Sequence, residues 1–166
     1  MRDKDDVIAE IESRTGPSNF FRAMSHHPEA ARDVALLHAA VMGPGAVSER
    51  LKDLVCLAVS VVNECDYCSA HHEARAKKAG VTDAEIEDVR TETDYQFDEK
   101  ERVALRYARE LTRTSAVENE TRDAFDSMFG AEEKVELTLA VGLANFTNRF
   151  SNGLRIPLEK EKYRTA

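Results

Sequence analysis

Apolar residues recur along this chain at helical spacing in nearly every segment, and nowhere at the sustained period of two that marks a half-buried strand. Pro28 suits a first helical turn, and Val34, Leu37 and Val41 follow at i, i+3 and i+7 with His38 at i+4, predicting a helix to about Met42. Gly43-Pro44-Gly45 breaks it. Ser48 then caps a helix whose stretch Leu51 to Val62 is almost continuously apolar, interrupted by Lys52, Asp53 and Ser60. The next helix is expected to begin near Asp66, run through the charged, alanine-rich stretch Ala70 to Ala79, and end at Gly80.

Thr82 or Asp83 starts a helix carrying Ile86 and Val89, and Thr91 to Phe97, without an apolar period, reads as a loop. Further helices are predicted over Asp98 to Thr112, Ala116 to Phe129 (Phe125, Met128 and Phe129 inward) and Glu132 to Asn152. Upstream, residues 19–25 form a short amphipathic piece around Phe20, Phe21 and Met24, and residues 1–16 a short helix or a loose arm. The expected architecture is all-α, in one domain over 1–166, long enough to bury a substantial core.

A net charge of -8 argues against nucleic acid or an anionic membrane as the main partner. The apolar run Leu54 to Val62 is too short to span a bilayer, and Met1 to Asp6 lacks the hydrophobic stretch of a signal peptide, so the cytoplasm is the expected compartment. Three cysteines leave one unpaired, which suits a dithiol that cycles in a reducing compartment.

The chemistry concentrates in 63–73, Asn-Glu-Cys-Asp-Tyr-Cys-Ser-Ala-His-His-Glu. Cys65 and Cys68 stand at C-x-x-C spacing at a helix start, where the helix dipole favours thiolate and two cysteines three apart can close a disulfide ring. His72 lies one turn after Cys68, so the spacing makes Cys68 the candidate attacking thiolate, His72 its base and Cys65 the resolving partner. Glu64 and Asp66 oppose this by raising thiol pKa, unless Asp66 turns inward as the N-cap. Two other readings stand beside the redox site: a pair of small buried residues, and a zinc site of Cys65, Cys68 and His72 lacking an evident fourth ligand. Cys56, on an apolar stretch, reads as core.

Arg50-Leu51-Lys52-Asp53-Leu54, Ala58-Val59-Ser60 and Cys65-x-x-Cys68-x-x-x-His72, with Asn145 to Phe150 and Leu154 to Leu158 near the end, resemble the alkylhydroperoxidase D (AhpD)-like, peroxidase-related branch of the carboxymuconolactone decarboxylase superfamily. In that branch a Glu precedes the first cysteine by twelve positions; here the place holds Asp53, one methylene shorter, and Tyr67 stands where the best-known members have a histidine. The resemblance implies an AhpD-like helical bundle with the C-x-x-C at the start of a core helix. It also implies hydroperoxide substrates, no metal or flavin cofactor, a lipoyl-bearing or thioredoxin-like reductant, and trimers or hexamers formed through helix faces. The alternatives are a general disulfide oxidoreductase and a redox-sensing protein that does not turn over; lactone decarboxylation does not call for the dithiol.

If the two helices fold back at Glu64-Cys65, Asp53 lies ~15 Å before the turn and His72 ~10 Å after it, so a bridging water could complete the line Asp53, water, His72, Cys68. A salt bridge or a solvent-facing Asp53 are the plainer outcomes. Asn145, Asn148, Arg149 and Asn152 share one face and point to interhelical hydrogen bonding or to a subunit boundary.

Overall fold

The computed structural model describes residues 3–159, and among these it contains helices and no strands. The helices are α1 (Lys4–Thr15), α2 (Asn19–Met24), α3 (Pro28–Met42), α4 (Glu49–Val62), α5 (Asp66–Lys78), α6 (Asp83–Thr91), α7 (Glu99–Thr114), α8 (Asn119–Met128) and α9 (Ala131–Leu154). The all-α architecture is the one the periodicity predicts. The outermost residues of the domain expected over 1–166 lie outside the described ones.

Local chemistry sets the boundaries. The Ser48 hydroxyl accepts from Leu51 N–H at 3.2 Å and opens α4. Thr82 and Glu85 form a reciprocal capping box at α6. Gly80 (φ 88°) takes the left-handed conformation that closes α5. The helix expected over Ala116 to Phe129 is shorter, because Ser115 ends α7 in a left-handed turn and Phe129 is already extended. Gly130 is the N-cap of α9. The first residues take the helical alternative: α1 buries Val7 and Ile11.

α4 is the centre of the fold. Leu51 through Ser60 is buried without a break, as a helix apolar on all sides must be, with α5, α6, α7 and α9 around it. Its polar interruptions are all satisfied. Ser60 Oγ donates to Cys56 O at 2.8 Å. Lys52, fully buried, donates to Val41 O, Gly43 O and Glu136, so a cation closes the carbonyl end of α3. One apolar cluster joins the end of α3 to α4, α7, α8 and α9, and another joins α4 to α5, α6 and α7. A third is built from α1, α2 and α3, and Cys65, Tyr67 and Cys68 lie in it.

Coverage is uneven. Leu36 and Leu37 on α3, and Val135, Leu139 and Phe146 on α9, stay exposed, lining or flanking an apolar groove of about 760 Å³. Among the described residues, no helix is long and apolar enough to cross a membrane.

Candidate active site at the start of α5

The turn from α4 into α5 is held from behind by α9. Glu64 takes a left-handed φ of 51°, and Cys65 N–H returns to Ser60 O at 2.9 Å. Asn63 donates to Asn145 Oδ1 (3.0 Å) and Asn148 Oδ1 (2.9 Å), Asn152 donates to Asn63 O (2.9 Å), and the buried Asn148 donates to Ser60 Oγ (3.2 Å). The asparagines therefore hydrogen-bond between helices of one chain, fixing the backbone that carries the dithiol.

Cys65 is the N-cap of α5: its Sγ accepts from Cys68 N–H at 3.3 Å. Asp66, the candidate cap in the sequence, is exposed in the first turn instead. The extended conformation falls at Cys65 (φ -99°, ψ 92°), so sulfur reaches the free N–H and the carboxylate stays in water. Cys65 and Cys68 are joined as a disulfide with Cα atoms 5.3 Å apart, and both are buried.

Asp53 and His72 meet directly. His72 Nδ1 lies 3.1 Å from Asp53 Oδ1, and Arg75 Nε donates to the same oxygen at 2.9 Å. Of the outcomes open for Asp53, the structure has the salt bridge, made directly to His72 and Arg75 rather than through a water or turned to solvent, because α4 and α5 fold back closely enough for the short side chain to reach. Burial alone would raise the Asp53 pKa, but the His72 hydrogen bond and charge, with Arg75, outweigh it and hold the carboxyl below its usual range. An ionised carboxylate only accepts, so His72 carries its hydrogen on Nδ1 and leaves Nε2 as the basic nitrogen.

His38, on the α3 face, lies within electrostatic reach of Asp53, His72 and Arg75. Burial, then the charges of His72 and Arg75, lower its pKa to about 4, with Asp53 working the other way and His71 adding to the lowering. It is neutral near pH 7. The depressed folded value means its contribution to stability is intact above the unfolded pKa of about 6.5 and is lost as pH falls toward 4. Urea unfolding should therefore show stability declining from pH 7 to pH 4.5, and His38→Asn should remove ~1–2 kcal/mol of that decline.

A second polar set, with no counterpart in the sequence reading, surrounds Tyr67. The Tyr67 hydroxyl donates to Glu159 Oε1 at 2.7 Å and accepts from Phe20 N–H at 3.2 Å. Burial pushes the phenol pKa upward. Glu159 Oε1 also accepts from Asn19 N–H at 2.7 Å, and Glu159 Oε2 lies 3.0 Å from His71 Nε2. Elsewhere, the Cys56 thiol is fully enclosed and burial raises its pKa, which leaves it unreactive. Among the described residues, no group of three or more His, Cys, Asp or Glu side chains is placed to hold a metal ion.

The sequence pattern of the carboxymuconolactone decarboxylase family matches residues 28–110, from the start of α3 through most of α7. The chain belongs to that family. Its fold is AhpD-like: an uncharacterized peroxidase-related protein from Silicibacter sp. TM1040 superimposes with a TM-score of 0.84 at 20% identity, covering 98% of this chain and 87% of that one. A protein of unknown function from Agrobacterium tumefaciens, ATU0492, named a "putative antioxidant defence protein AhpD", gives 0.72 at 25% identity over 80% and 92%. The debrominase Bmp8 gives 0.81 at 21% identity over 95% and 86%. No curated protein matches the chain.

Proposed function

We propose that this chain is a thiol-dependent peroxidase that reduces hydroperoxides through the Cys65/Cys68 dithiol. The observation that carries the reading is the dithiol at the start of α5, one turn before a histidine whose Nδ1 is held by a buried carboxylate. His72 takes the Cys68 proton, and the thiolate attacks the peroxide O–O bond. The distal oxygen becomes a sulfenic acid on Cys68, and the leaving alkoxide takes a proton to become an alcohol. The Cys65 thiol then displaces hydroxide, releasing water and closing the disulfide. A lipoyl-bearing or thioredoxin-like dithiol protein returns two electrons. Asp53 and Arg75 act through His72, as positioning residues.

Two other readings are separable by the same assay. A general disulfide oxidoreductase would exchange disulfides without consuming peroxide, and a redox sensor would oxidise once and stop. The debrominase among the solved relatives makes a brominated pyrrole a useful third substrate. Steady-state consumption of cumene hydroperoxide with dithiothreitol, dihydrolipoamide and reduced thioredoxin should continue for many equivalents per chain. Consumption that stops near one equivalent with every donor would exclude the peroxidase.

The same reading includes a homo-oligomer, a trimer or hexamer, acting in the cytoplasm. Its support is the apolar surface of α3 and α9, where Leu37 is 47% and Val135 61% exposed. Light scattering after size exclusion should give a multiple of 18.6 kDa, and Leu139→Glu should lower it; a wild-type mass near one chain would rule the assembly out.

A further inference from the structure

The Glu159 carboxylate ties the segment after α9 to the helix that carries the dithiol. Cys65 is 1% and Cys68 5% exposed, packed among Phe20, Phe21 and Met24 of α2 and the half-buried Phe150 and Ile156. A thiol attacks a disulfide in line with the S–S bond, and a sulfur presented by another protein cannot reach a pair enclosed to this degree. Resting on the peroxidase reading above, reduction by a protein-borne dithiol therefore requires part of this cover to move.

The segment after α9 borders this cover and has no regular structure. The chain leaves that helix at Arg155 in a left-handed conformation (φ 50°) and continues without regular structure to Glu159. Leu154, Arg155, Pro157 and Leu158 are exposed, Ile156 is half-buried, and Glu159 alone is buried. Among the described residues the segment is held by Ile156 N–H to Ser151 O (3.0 Å), by the packing of Ile156, by Asn19 Nδ2 to Pro157 O (2.9 Å) and, at its end, by the Glu159 carboxylate, held by Tyr67 Oη, Asn19 N–H and His71. Tyr67 lies between the two cysteines and His71 one turn on, with their rings 4.5 Å apart, so the fastening is made to the dithiol helix itself and to the start of α2. Burial disfavours the Glu159 charge, but the bonds from Tyr67 and Asn19 N–H outweigh it, so the group is ionised when closed. On release the carboxylate regains its hydration and the half-buried Ile156 leaves the apolar cluster, whereas moving α2 would expose the buried Phe20, Phe21 and Met24, so the segment is the less costly part to open.

We propose that residues 155–159 form a strap latched by Glu159, and that its release admits a protein-borne dithiol to the Cys65–Cys68 disulfide while small molecules reach the dithiol with the strap closed. This also gives Tyr67 a use. Its hydroxyl is committed to the latch, which places it outside the proton transfers at Cys68.

The test compares one electrophile at two sizes. The reduced full-length protein is reacted with N-ethylmaleimide and with the same maleimide on a large polyethylene glycol, and labelling is resolved by residue. Glu159→Ala should raise polymer labelling at Cys65 and Cys68 by about tenfold, the effect of losing charge-assisted hydrogen bonds, and N-ethylmaleimide labelling by less than about threefold. Glu159→Gln and Tyr67→Phe, which preserve shape, should act in the same direction to a smaller degree. Reduction of the oxidised variants by thioredoxin should accelerate in parallel, with dithiothreitol reduction little changed. Cys56 reports global unfolding and should stay unlabelled. A polymer rate equal to wild type in all three variants, or equal acceleration of both probes, would overturn the strap. Because the probes read access and not catalysis, a wild type that fails to consume peroxide would reject the peroxidase reading alone.

Discussion

Cys68→Ser should reduce hydroperoxide turnover to the uncatalysed background, a loss of about a thousandfold or more. A serine hydroxyl has no accessible anion near neutral pH and cannot accept an oxygen atom as sulfur does. Cys65→Ser should also abolish steady-state turnover, but at a different point. Cys68 would still consume one equivalent of peroxide and stop as a sulfenic acid, which dimedone traps and mass spectrometry locates. Cys56→Ser should leave the rate unchanged, since that thiol is enclosed in the core. The opposite order has a structural basis to be tested against, because Cys65 Sγ receives the Cys68 N–H bond. Sulfenic acid trapped on Cys65 in the Cys68→Ser protein would reverse the assignment and leave the dithiol mechanism standing.

His72→Ala should slow Cys68 alkylation and peroxide consumption near pH 7 by about a hundredfold, the usual scale for losing a positioned base. Asp53→Asn should cost less, about tenfold: the amide oxygen can still accept from Nδ1–H and hold the ring, but that bond is no longer charge-assisted and Arg75 loses its partner. Stability should also fall by ~1–2 kcal/mol, limited because Arg75 is 40% exposed and can turn to water. Asp53→Glu is the informative variant. Asp53 is 2% exposed and already touches both partners, so an added methylene must be accommodated by displacing His72 or α5, and activity should drop. Equal or higher activity for Asp53→Glu would mean that the direct contact is not the working geometry.

The dithiol and the histidine proposed as its base were legible in the sequence because they are local. C-x-x-C-x-x-x-H on a helix leaves little freedom, and the all-α fold follows from a period repeated through every segment. Asp53 was reachable only through the family spacing, and its direct contact was not, since that depends on how closely α4 and α5 pack. The Asp66 cap failed for a reason of one residue: capping preference favours Asp, but the backbone placed the cap conformation at Cys65. Glu159 carried no signal at all. It meets Tyr67 across 92 positions, and an acidic residue in a charged tail reads as solvated. His38 lay on a face that looked like core, and its electrostatic reach to Asp53, His72 and Arg75 was not visible there. The polar face of α9 was visible as a pattern, while its target, the Asn63 turn, was not.

The most direct measurement mixes the pre-reduced protein with one equivalent of cumene hydroperoxide, without reductant, and follows peroxide and thiols together by quenched-flow mass spectrometry. The account predicts that one equivalent of peroxide disappears, a Cys68 sulfenic acid rises and decays, a Cys65–Cys68 disulfide replaces it, and Cys56 stays free throughout. Peroxide that persists while both thiols remain reduced would contradict it.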